Sequence, residues 1–114
     1  MLRLICAICF ALFSIVARAE FFEGTDIPLM EGMQVDESDS FSFDAPAGQI
    51  VGYSATVSSP VHEVRDFYQA SLVELGWQQK SSTKYVRDND ELVLQFVPSK
   101  QKTTVKMQYT FSNR

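Results

Sequence analysis

Few residues in this chain could do chemistry. His62 is the only histidine, and Ser58 and Ser59 lie just before it. A serine nucleophile needs a base within hydrogen-bond reach and donors for the oxyanion, and nothing local completes such a triad. Ser59 followed by Pro60 reads instead as a helix start. The hydroxyl can cap the first amides, proline has no N–H to leave unpaired, and Glu63 complements the positive helix end. In the first turn of that helix, His62 is expected to face solvent. No catalytic residue is assigned, and the chain is not expected to be an enzyme.

Carboxylates are the next candidates. A pair can divide acid and base roles when an apolar pocket raises the pKa of one of them. Every Asp and Glu here falls in a turn, in the acidic amino-terminal segment or on the polar side of the helix, so they are expected to be solvated. The runs Asp36–Asp39 and Asp88–Glu91 carry oxygen ligands but lack the glycine and the spaced bidentate glutamate of an EF-hand loop. No glycine-rich turn joins a strand to a helix, so a phosphate cradle of the mononucleotide type has no place to form. No cofactor and no metal site is expected.

The elements that would position these residues begin after an export signal. Arg3, the apolar run Leu4–Val16 and the small-residue pattern Ala17-Arg18-Ala19 read as a signal peptide over residues 1–19, cleaved before Glu20. The run stops short of the roughly 20 apolar residues of a spanning helix. Both cysteines, Cys6 and Cys9, lie inside it, without the small-residue box that precedes a lipidated cysteine. The mature chain is therefore expected to lack thiols, and with them disulfides and cysteine-bound zinc. Its remaining 95 residues suffice for one small domain. Without Arg3 and Arg18, eight bases face fourteen acids, a net charge of −6. With an exported location, that sign argues against nucleic acid as a partner. Residues 20–44 carry eight acids and no base, whereas residues 80–114 carry seven bases and three acids. The favoured reading is that the two ends attract within one molecule.

Residues 20–40 read as an irregular acidic arm. Its apolar residues Ile27, Leu29, Met30 and Met33 are too many for a freely solvated tail, so they are expected to lie against the domain or to bind a partner. Residues 41–114 form the domain. Phe41-Ser42-Phe43, the turn formers Ala45-Pro46-Ala47-Gly48 and the alternating stretch Gln49–Val57 predict a β-hairpin, with Gly52 marking a bulge or the close approach of another backbone. Val61, Val64, Tyr68, Leu72 and Leu75 recur at helical spacing, and Gly76 followed by Trp77 closes the helix. Beyond it, Trp77–Lys80, Lys84–Arg87, Leu92–Val97 and Thr103–Phe111 read as extended, with turns at Asp88–Asp90 and Pro98–Lys100, making a three-strand meander. Leu92, Leu94 and Phe96 match Val105, Met107, Tyr109 and Phe111 as one apolar face. The expected fold is α+β: a two-layer sandwich of one amphipathic helix on an antiparallel sheet, in the order ββαβββ. The aromatics Phe41, Phe43, Tyr53, Phe67, Tyr68, Trp77, Tyr85, Phe96, Tyr109 and Phe111 could line a ligand groove, but strand and helix spacing assigns most of them to the core.

Three segments carry a resemblance: Asp26-Ile27-Pro28-Leu29-Met30-Glu31-Gly32-Met33, then Phe43-Asp44-Ala45-Pro46-Ala47-Gly48-Gln49-Ile50-Val51, then Phe67-Tyr68 with Leu72 and Leu75-Gly76-Trp77. In this pattern the chain resembles small uncharacterised secreted or periplasmic proteins of proteobacteria. The helix-ending segment is also similar to one found in envelope lipoproteins, whose lipidated cysteine this chain lacks. These resemblances imply the same fold and a place in the cell envelope, and they carry over no catalytic or binding residue.

The leading expectation is a non-catalytic periplasmic or secreted domain that binds another envelope protein through Ile27, Leu29, Met30 and Met33 or through a free strand edge. The alternative is a small carrier that encloses an apolar ligand between Tyr53, Tyr68 and Trp77. No membrane-spanning segment is expected once the signal is removed.

Overall fold

The helix and the strands follow from two periodicities, and the register between them sets which residues are hidden. The computed structural model describes residues 20–112. The export signal expected over residues 1–19, with Cys6 and Cys9, lies outside them.

Helix α1 spans Val61–Glu74 and buries Val64, Tyr68 and Leu72, the centre of the apolar stripe. Its start differs from the expected one. Pro60 is the N-cap, with extended backbone (φ −69°, ψ 155°), and no side chain caps this end. The helix thus begins one residue later, and Ser59 is left too far back to reach the first free amides. The Ser59 carbonyl instead accepts a hydrogen bond from Thr103 Oγ1 at 2.8 Å, tying the helix start to the last strand. At the other end, Gly76 adopts φ +91°. Its amide donates to the Val73 carbonyl at 3.1 Å, and the Trp77 amide donates to the Leu72 carbonyl at 2.9 Å. This is a Schellman closure, open to glycine because it has no Cβ to clash in the left-handed region.

Seven strands are found among the described residues: β1 (Gln34–Val35), β2 (Phe41–Ala45), β3 (Gly48–Val57), β4 (Gln78–Gln79), β5 (Lys84–Arg87), β6 (Asp90–Ser99) and β7 (Lys102–Ser112). The fold is α+β, one helix on an antiparallel sheet, and the strand count corrects the expected ββαβββ order to βββαββββ. The two-residue strand β1 is too short for alternation to reveal, whereas β4 falls inside the extended stretch Trp77–Lys80 read from the sequence. The sheet runs β1-β3-β7-β6-β5-β4, and β2 pairs β3 on the same side as β1.

Two further expectations are revised. The β3–β7 register runs unbroken from Gly48↔Ser112 to Val57↔Thr103, so Gly52 marks no bulge. It lies across from Phe41, and a Cβ there would meet the Phe41 ring. The expected turn at Pro98–Lys100 also moves. Pro98 and Ser99 remain in β6, and the chain turns at Lys100-Gln101. Proline is tolerated there because β5 pairs only with Asp90–Val93, leaving the far half of β6 with one open edge.

One face of the sheet carries Val51, Ala55 and Val57 from β3, Val105, Met107 and Tyr109 from β7, Leu92 and Leu94 from β6, and Tyr85 from β5, all buried. A helix about 10 Å across covers about two strands spaced about 4.8 Å apart, so α1 cannot hide this whole face. Residues 20–33 cover the β3 side. Phe22 and Ile27 are buried there, Phe22 packs on Tyr53 at 5.5 Å between ring centroids, and the Tyr53 hydroxyl donates to the Glu23 carbonyl. The Tyr68 hydroxyl, on α1, donates to the Pro28 carbonyl at 2.8 Å, joining helix to arm. No helix among the described residues is long and apolar enough to cross a membrane.

Candidate functional site

Of the four arm residues expected to bind a partner, Ile27 and Met33 are buried in the chain's own core, and Leu29 and Met30 are partly buried against it. The arm is held by a short loop in which the Phe22 amide donates to Ile27 and the Leu29 amide to Glu20. Ile27 and Met33 are thus spent on packing, and any partner reaches only Leu29 and Met30.

The residues weighed for catalysis are scattered. His62 lines an open recess of about 620 Å³ with Arg65, Asp66, Gln69 and Gln79, and Asp66 is its one carboxylate. Ser58 faces a different recess, beside Pro60 and Lys102. The runs Asp36–Asp39 and Asp88–Glu91 stay apart, and among the described residues no three His, Cys, Asp or Glu side chains are grouped to hold a metal ion. Tyr53, Tyr68 and Trp77, the rings expected to enclose a ligand, have other neighbours. Tyr53 packs on Phe22, Tyr68 on Phe67 and Phe96, and Trp77 on Tyr109.

A charged network that spacing did not reveal joins the acidic and basic halves. The guanidinium of Arg87 donates to both carboxylate oxygens of Asp26, at 2.8 and 3.0 Å, across 61 residues of sequence. It also donates to the Leu75 carbonyl at 3.0 Å, at the negative end of α1, and lies over the Trp77 ring at 4.4 Å. Its Nη2 reaches the Tyr109 hydroxyl at 3.3 Å, which donates to Asp90 Oδ2 at 3.0 Å. The Arg87 hydrogen bond holds the Asp26 carboxyl below its ordinary 3.8. A depressed carboxyl contributes stability that is present above the unfolded pKa and lost as pH falls through the folded one. Stability is therefore expected to fall as pH drops below about 4. Because Asp26 is half exposed, Asp26→Asn should cost only about 1 kcal/mol at neutral pH and flatten that acid limb, as urea titrations at several pH values would measure.

The feature that differs most from expectation is the edge strand β2. The two-residue hairpin loop Pro46-Ala47 pairs Ala45 with Gly48, which sets Phe43 opposite Ile50 and Phe41 opposite Gly52. Those β3 positions alternate with the buried Val51 and Ala55 and the partly buried Tyr53, so Phe41 and Phe43 point to the face without the helix. They are 46% and 51% exposed and stack on each other at 5.8 Å. They lie outside the core to which spacing assigns most of the aromatics, and counting back through the hairpin loop shows why. Beside them, Asp39, Phe41, Val93, Gln95 and Lys106 line a recess of about 380 Å³. The outer side of β2 has no strand partner among the described residues. No family, no curated protein and no solved structure matches the chain.

Proposed function

We propose that this is an exported, non-catalytic protein-interaction domain that meets its partner along β2. One observation carries the reading: an edge strand without an outer neighbour among the described residues holds two stacked phenylalanines about half exposed to water. Natural edge strands are ordinarily short, charged or covered, and clustered exposed aromatics mark contact surfaces more often than they serve stability. Export rests on the leading segment of the sequence, and a place in the cell envelope on the resemblance given above. The arm serves this reading as the cover of the opposite face rather than as the contact itself.

The test is a photo-crosslinking phenylalanine analogue placed in the full chain, in cells, at Phe43, with Val73 on the exposed side of α1 as the control position. A neighbour captured repeatably at Phe43 and not at Val73 is expected, from a chain whose amino terminus is Glu20 after export. Equal capture at both positions, or none at Phe43 in correctly exported protein, would defeat the proposal.

A further inference from the structure

Resting on that reading, we infer the chemistry of the partner: an extended segment in which Lys or Arg alternates with apolar residues, added to the sheet as a strand along the outer edge of β2. Three observations lead there. The first is the edge itself, since among the described residues β2 pairs only with β3, and Phe41, Ser42, Phe43 and Asp44 are all exposed. An added strand can take up the backbone groups that point away from β3, which supplies attraction independent of sequence.

The second is the alternation of β2. Phe41 and Phe43 lie on the helix-free face, and Ser42 and Asp44 on the other. Successive side chains of an incoming strand would fall beside the phenylalanines and beside Ser42 and Asp44 in turn. The former positions favour apolar side chains and the latter favour a cation.

The third is the sign of the surroundings. Asp36, Glu37 and Asp39 precede β2 and Asp44 lies within it, all exposed, and the sequence has no Lys or Arg from Glu20 to Val64. None of these four acids forms an ion pair among the described residues; the pairs there are Lys84–Glu91 and Arg87–Asp26. Lys106, two strands away on β7, is the cation that lines the recess with Asp39 and Phe41. The edge thus attracts a basic segment. It also opposes its own copy, because β2 paired with β2 of a second molecule would bring Asp44 and the acids before it against the same acids.

The experiment uses the mature protein, isotope-labelled for NMR, and the peptide Lys-Val-Lys-Val-Lys-Val-Lys as probe. Controls are the same composition in blocks, Lys-Lys-Lys-Lys-Val-Val-Val, and the acidic analogue with Glu in place of Lys. The expected result is shift changes confined to residues 36–52, binding weaker by about tenfold for the block peptide, for Asp44→Lys and at about 0.5 M salt, and none for the acidic peptide. Equal binding of the alternating and block peptides, or shifts spread to the acids of α1, would show diffuse charge attraction and overturn the inference. So would dimerisation of the free protein through β2. If crosslinking at Phe43 captures a partner through a helical or acidic segment, the interaction reading stands and this inference falls. If the peptide docks as expected and Phe43 captures nothing in cells, the reverse holds.

Discussion

Replacing Trp77 with alanine is expected to lower the unfolding free energy by about 3–5 kcal/mol. The indole is 3% exposed and sits where four parts of the fold meet. Its amide closes α1 on Leu72, its ring meets Tyr109 of β7 edge-on at 5.4 Å, and Arg87 of β5 lies over it and reaches Asp26 in the arm. Truncation would open a cavity and remove the surface on which the guanidinium rests. For a domain with a total stability of about 5–15 kcal/mol, that is a large share. Trp77→Phe should cost much less, about 1–2 kcal/mol. A phenyl ring keeps the packing and removes the indole N–H, which is buried with no hydrogen-bond partner, so part of the lost volume is offset by the lost desolvation cost. Urea unfolding followed by far-UV circular dichroism measures both variants. An alanine variant with an unchanged midpoint would show that the indole is not part of the core.

Much of this architecture is legible in the residues because each element carries its own period. The stripe Val64, Tyr68 and Leu72 and the pair Gly76-Trp77 locate α1 and its end. The sets Leu92 and Leu94, and Val105, Met107 and Tyr109, locate β6, β7 and their shared buried face. What escaped depends on relations between elements. Periodicity says that Phe41 and Phe43 share a face, and only the hairpin register says which one. The ion pair of Asp26 with Arg87 needs the arm folded back over the sheet, a contact no local spacing encodes. Arm burial follows from a width argument, since one helix is too narrow for this sheet and, among the described residues, the apolar ones at 22–33 finish the cover. Sequence therefore points to those arm residues, where apolar character is conspicuous, whereas the proposed contact surface lies on β2, where the same character looks like ordinary core.

Gly48→Ala is expected to destabilise the protein by about 4 kcal/mol or more. Gly48 has φ +140°, a region open to glycine and hardly to any other residue, and an added Cβ would overlap the Phe111 carbonyl. Neither side can yield cheaply, because Gly48 is paired both with Ala45 of β2 and with Ser112 of β7. The methyl group has no rotamer to change, and the carbonyl belongs to the β3–β7 ladder. Gly52→Ala supplies the contrast. There the atoms nearest the Cβ all belong to the ring of Phe41, a half-exposed side chain free to swing toward solvent, so the cost should stay at about 1–2 kcal/mol. Its effect should appear at the surface instead: with Phe41 displaced from its stack on Phe43, crosslinking at Phe43 is expected to weaken while the fold survives. Urea midpoints separate the two glycines. A Gly48→Ala protein within about 1 kcal/mol of the parent would mean that β3 and β7 do not approach as described. A Gly52→Ala protein that is stable yet crosslinks as before would mean that the stacked pair does not form the contact.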